Sequence, residues 1–507
     1  MLYNINRLPL HCVFHGIRFK VNKDWVSGID ALLFFIYLPS LNRPPADTRR
    51  RKEKNGGSLV FLPLVLYFCK VMSKTKNLLI FKTQAETMNI KIRLVIMNFL
   101  QFAVWGAYLT SMGSYLVNVN LASHIGIFYA MQGIVSLFMP AILGIIADRW
   151  IPAQKLLSIS HFIAAACMGL TGYYGMTSGQ DVAFGPLFTF YALSVAFYMP
   201  TLALSNSVAY TALDKAGLDT IRHFPPIRIF GTIGFICSMW AVDILGLQNN
   251  YGQFFACAAI GLVFAFYALT LPACPTSKGG QSKSLVEALG LRAFTLFRQK
   301  KMAIFFLFSM LLGVSLQITN GFANPYISSF GSIPEYADTF GVQHANILIS
   351  LSQVSETLCI LLIPFFLKRF GIKYVMLIAM LAWVLRFGLF GAGNPGSGVW
   401  MFVLSMIVYG VAFDFFNISG SLFVDRETDK DIRSSAQGLF IIMTNGFGAT
   451  IGTLGAQAVV NHFVDFGSEA PQVAQWQSAW FTFAAYALVV AVVFALVFKY
   501  KHRPENA

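Results

Sequence analysis

Apolar residues in this chain run in long blocks rather than in alternation. From Met88 onward twelve such blocks are separated by short polar connections: 91–118, 123–147, 154–175, 182–210, 225–247, 251–271, 302–330, 342–367, 373–392, 398–424, 433–462 and 475–498. A helix needs about 20 largely apolar residues to cross hydrocarbon. The pattern therefore predicts an all-α integral membrane fold of twelve transmembrane helices, the longer ones tilted or protruding.

The connections test that count. The odd ones, 119–122, 176–181, 248–250, 331–341, 393–397 and 463–474, contain no Lys or Arg. The even ones, with the helix-end residues Lys155, Lys373 and Arg433, carry 16; the tail and the entry to the first block bring that face to 21 of the 23 basic residues after Met88. The positive-inside rule makes the basic face cytoplasmic and puts both termini there. One miscounted helix would scramble this separation.

Composition agrees. The 507 residues are 56% hydrophobic and 12% charged, against about 25% charged in a soluble domain. Seven Cys exclude a disulfide scaffold and 49 Phe exclude disorder. The net charge of +15 is uneven: residues 1–87 hold 14 basic and 5 acidic residues. Their apolar runs are short, and neither makes a signal peptide. The expectation is that 1–87 is an N-terminal extension outside the working carrier, from a misplaced start with Met88 the natural one; the alternative is a cytoplasmic or lipid-touching extension. The remaining charge points to topology, not to nucleic acid. The expected organisation is a six-helix half at 88–271, a cytoplasmic linker at 272–301, a second half at 302–498 and a tail at 499–507. An offset of 216 residues superposes Gln101 on Gln317, Ala196-Phe197 on Ala412-Phe413 and Ser205 on Ser421, and transporters often bind substrate between such repeats.

Ionisable groups at membrane depth are costly and either functional or paired. Arg228, Glu356, Arg386 and Asp414 fall inside predicted spans; Asp243 lies near the outer end of span five, where water is expected to reach it. Residues three or four apart share a helix face. Gln317 and Asn320 do so, as do Gln353 and Glu356, Arg228 and Thr232 with Phe235, and Tyr409 and Phe413 beside Asp414. Asn98, Gln101, Trp105 and Tyr108 form another stripe in span one. Amides, carboxylates and rings together suit an uncharged, flat, hydrogen-bonding solute. The competing reading is structural: polar side chains also join membrane helices, aromatic stripes pack, and Arg386 would pair with an acid inside its own half. Burial disfavours the ionised form of a carboxylate, and a group so placed suits proton coupling. Nothing favours sodium.

Gly144, Asp148 and Arg149 in GIIADR, between spans two and three, match the G-x-x-x-D-R cytoplasmic gate motif of the major facilitator superfamily. There glycine permits close helix approach, and Asp148 is placed to cap a helix and pair with basic groups. No phosphate-binding loop or metal-binding His set occurs, so no cofactor, metal or enzymatic chemistry is expected. Asn417-Ile418-Ser419 fits a glycosylation sequon but lies inside span ten. Cys167, Cys237, Cys257 and Cys359 are expected as free apolar thiols.

Five segments carry a wider likeness: FPPIRIFGTIGF (224–235), AIFFLFSMLLGVSLQITN (303–320), QHANILISLSQVSETL (343–358), LSMIVYGVAFDFFNISGSLFV (404–424) and MTNGFG (443–448). On these, residues 88–507 resemble the nucleoside:proton symporter family of the major facilitator superfamily, and bacterial broad-specificity nucleoside permeases in particular. The resemblance implies a bacterial inner-membrane carrier that imports nucleosides with protons by alternating access, one chain sufficing. It implies substrate contacts from Arg228, Thr232, Phe235, Gln317, Asn320, Gln353, Glu356, Tyr409, Phe413 and Asp414, with Glu356 or Asp414 carrying the proton and Arg228 a charge partner. The alternatives are a carrier for a sugar or another polar metabolite, and a membrane sensor that binds without transporting.

Overall fold

The computed structural model describes residues 13–14, 17–18, 88–276, 291–429, 432–468 and 472–500. The chain forms two units, 1–81 and 82–507. Of the first, the described part is a two-residue antiparallel ladder, β1 (Val13–Phe14) with β2 (Ile17–Arg18). The rest of 1–87, the linker residues 277–290 and the tail from 501 lie outside the described residues.

In the second unit each of the twelve predicted stretches is helical. We label them α1 (88–106 and Met112–Asn118), α2 (Ile125–Arg149), α3 (Ala153–Ser178), α4 (Phe184–Tyr198 and Thr201–Lys215), α5 (Thr220–Ile244) and α6 (Gly252–Ala268). Then come α7 (Lys300–Leu316 and Ile318–Ser329), α8 (from Ala345–Cys359 through 370), α9 (372–392), α10 (Val399–Glu427), α11 (Arg433–Ile441, Ile442–Gly448 and Ala449–Phe463) and α12 (Val473–Val497). Among the described residues nine helices are long and apolar enough to cross a membrane, and Gly252–Ala268 is a shorter apolar one. One of the nine, Ala345–Ala392, spans 48 residues and contains both α8 and α9. They divide at Gly371, whose φ of 77° lies in the left-handed region that a glycine reaches without steric cost.

Breaks in the other helices fall where sequence chemistry places them. Pro200 divides α4 because it has no N–H for the helical ladder. α7 is interrupted at Gln317, and α11 passes through a π-helical turn at Ile442–Gly448. π-turns are frequent at functional sites. Large apolar side chains remain exposed around the outside, among them Phe266, Leu361, Trp400 and Leu496. In a soluble protein these would be an aggregation surface; against lipid they need no cover.

Candidate functional site

The predicted site residues come from α5, α7, α8 and α10. Arg228 follows Pro225 and Pro226 in the third turn of α5, and its guanidinium carbon lies 3.8 Å from the centre of the Phe102 ring on α1. Four and seven residues on, Thr232 is half-buried and Phe235 is buried. Phe235 meets Trp105 edge-on at 6.2 Å. On α7 Gln317 sits at the helix break and accepts a 2.7 Å hydrogen bond from the Asn320 side-chain amide. On α8 the buried Gln353 Oε1 has no partner, while Glu356, one turn further, is within electrostatic reach of Arg228, Asp414 and Tyr409. On α10 Tyr409 and Phe413 stack with their planes 9° apart and centres 5.6 Å apart. Asp414 beside them is 5% exposed, and its Oδ2 has no hydrogen-bond partner.

The structure thus gathers Arg228, Glu356, Tyr409 and Asp414 into one electrostatic cluster, with Phe413 stacked on it and Phe235 on the face that Arg228 shares. Gln317 and Asn320 are joined to each other at the α7 break. Unpartnered Gln353 Oε1 and Asp414 Oδ2 are costly in a buried setting.

Four expectations change. Asp243 does not reach water: it is 3% exposed, and its carboxylate accepts hydrogen bonds from His344 Nδ1 and from the backbone N–H groups of Asn346 and Ile347. Arg386 pairs with no acid among the described residues. It is 1% exposed, donates to the Ser405 carbonyl at 2.8 Å and to Ser352 Oγ at 3.3 Å, and lies 4.5 Å from the Tyr409 ring centre. That places it behind the aromatic pair, holding Tyr409 by stacking rather than by charge neutralisation. Part of the α1 stripe is structural: Gln101 donates to Thr201 Oγ1, and its Oε1 meets His161 Nε2, joining α1 to α4 and α3. Finally, a Cβ on Gly144 would meet nothing within 4 Å, so this glycine makes no close helix approach here. Asp148 and Arg149 are both exposed.

Phe102 was missed as a partner of Arg228, and Trp105 stood in the stripe without a role at the site. Their spacing of three residues on the inward face of α1 was the available signal. Cys167, Cys237, Cys257 and Cys359 are free thiols, as expected, and Asn417 is inside α10, donating to the Phe413 carbonyl.

The profile of the nucleoside H+ symporter family matches residues 88–503. The chain belongs to that family. It is 47% identical to the xanthosine permease of Escherichia coli K12 over 422 residues, covering 83% of this chain and 98% of the relative. It is also 47% identical to the nucleoside permease NupG of the same organism over 418 residues, covering 82% and 97%. A crystal structure of the nucleoside transporter NupG superposes with a TM-score of 0.74 at 46% identity, covering 82% of this chain and all of that one. A peptide transporter of the POT family, 14% identical, shares the fold with a TM-score of 0.60 over 80% of this chain and 93% of that one. Membership makes the chain a multi-pass integral membrane transporter, not an enzyme.

Proposed function

We propose that the chain imports nucleosides together with protons across the inner membrane, both termini cytoplasmic, one chain forming the whole pathway. The observation that carries this reading is the convergence of Arg228, Glu356, Tyr409, Phe413 and Asp414 from three helices onto one buried cluster. Gln317, Asn320, Gln353 and Glu356 pair with ribose hydroxyls and base edges, Thr232 adds a hydroxyl, and Phe235, Tyr409 or Phe413 stacks on the base. Glu356 or Asp414 carries the proton, with Arg228 as the charge partner. The bilayer is the solvent; nucleic acid is no partner.

The contacts that tie 88–271 to 302–498 fall in the charge-poor half of the bundle. Thr110 bonds Asn346, Ser114 bonds Asn324, and Trp240 donates to Ser350. Gly126 and Gly133 in the first part of α2 lie against Thr453 and Thr450 of α11. Gly144, at the basic end, is open. This supports an inward-facing conformation with the outer side shut.

In proteoliposomes, a pH gradient acidic on the outside is expected to drive uphill uptake of labelled uridine or adenosine, and a protonophore to abolish accumulation. Uptake indifferent to the protonophore would refute coupling. A competition panel in which sugars displace uridine as well as nucleosides do would refute the substrate class. Phe413→Ala is expected to weaken nucleoside binding by about 1–3 kcal/mol, the range for loss of one base–ring stack; equilibrium binding of labelled uridine measures it, and unchanged affinity would leave Phe413 as packing.

A further inference from the structure

At the charge-poor end, α5 and α8 meet through a pair the transport site does not use. Asp243, in the last turn of α5, is buried, and its side chain is 0% exposed. Its Oδ1 lies 2.5 Å from His344 Nδ1; its Oδ2 accepts from the N–H of Asn346 at 3.1 Å and of Ile347 at 3.3 Å. The 15-residue helix Ala345–Cys359 begins there, so the carboxylate sits on its positive N-terminus, where an anion is favoured. A buried carboxylate spanning two helices can persist only while α8 stays against α5; parting them strips it of three donors at once. The pair is therefore a contact of one conformation.

His344 differs from Asp243 in access. Its side chain is 40% exposed, so protons at the outer face reach it without crossing the closed gate. Around the pair the packed side chains are neutral: Asn346 accepts from Thr110 of α1 and from Asn324 of α7, Asn324 also lies 3.5 Å from Gln248, and the Phe340 ring is 5.2 Å from the imidazole. Glu335 and Asp338 lie on the same connection and make no hydrogen bond or ion pair with His344. The charge facing the imidazole is that of Asp243.

We propose that His344 and Asp243 form a proton-responsive latch, which takes a proton from the external medium and holds α8 against α5 in the outer-closed conformation. This rests on the alternating-access reading above. An imidazolium binds the carboxylate by charge and hydrogen bond together, a neutral ring by the hydrogen bond alone. The sign follows: acid outside strengthens the latch and favours closure, and alkalinity outside weakens it and favours opening. His344 faces the outer side, so this proton is not carried across; the device biases the cycle rather than coupling it.

The test uses the full chain with its native cysteines replaced and Ser350→Cys added. Ser350 is buried one to two turns behind the latch, bonded by Trp240. Labelling by a membrane-impermeant maleimide is followed without nucleoside, with rates normalised to a permanently exposed cysteine so that thiol chemistry cancels. Raising external pH from about 5.5 to about 8, across the imidazole range, is expected to speed labelling about two- to fivefold, the population change that a partly exposed ion pair carries. His344→Gln, at a solvent-reached position that keeps a donor, is expected to abolish the slope while nucleoside uptake persists. Asp243→Asn should label fast at both pH values. The slope should survive in the Glu356→Gln, Asp414→Asn background. An equal slope in His344→Gln, a flat native response, or loss of the slope with the carboxylates would each overturn the latch. No nucleoside is present, so failure of the uptake assay leaves this result standing.

Discussion

Glu356→Gln and Asp414→Asn, made separately, are expected to split transport into its two halves: in at least one of them uphill accumulation disappears while nucleoside exchange down its own gradient continues. A difference of one pH unit supplies about 1.4 kcal/mol per proton, enough for about tenfold accumulation of a neutral solute moving with one proton. The neutral amide keeps the shape of the carboxyl but can neither take up nor release the proton, so that tenfold should fall to none. Geometry gives the two positions different secondary effects. Glu356 faces Arg228 of α5 across the site, so its amide leaves a half-buried guanidinium without its electrostatic partner and should also weaken binding. Asp414 lies among α8 and α10 groups, with one oxygen unpartnered, so its amide should disturb coupling more than affinity. Parallel uptake, counterflow and binding measurements separate these outcomes; full gradient-driven accumulation in both variants would remove both residues as proton carriers.

Much of this was legible because a membrane removes ambiguity. Block length locates the helices with little help from packing, and each predicted stretch is helical. The candidate site stripes were legible because a polar group at depth has few reasons to be there. What helical spacing could not supply was the partner on another helix. Arg386 and Arg228 look alike in sequence, each a lone cation in a span. One is enclosed by Ser352, Ser405 and Tyr409 behind the aromatic pair, and the other lies over Phe102 and faces Glu356. Asp243 was misplaced for the same reason: its depth suggested water, but the start of α8, 101 residues further along, covers it. Gly144 differs again: its motif led to the expectation of a close helix approach, and a Cβ there would meet nothing within 4 Å.

Gly113 and Gly144 permit a pair of opposed substitutions. Gly113, near the outer end of α1, faces α7 so closely that an added Cβ would lie inside the contact radius of the Gly321 carbonyl oxygen and 2.8 Å from Pro325 Cγ. The overlap is partly with backbone, which cannot rotate away. Gly113→Val is therefore expected to disfavour outer closure by about 1–3 kcal/mol or more, the range for overpacking a filled site. Its phenotype should be loss of transport with binding from the outside retained, and fast external labelling of Ser350→Cys. Gly144→Val meets open space here, so it should leave this conformation intact and obstruct the one in which the gate motif closes. Transport should again fall, but external labelling should stay slow. Loss of folded protein would produce neither pattern, because nucleoside binding would vanish in both variants. Identical labelling in the two would mean that these glycines do not report opposite ends of one alternating cycle.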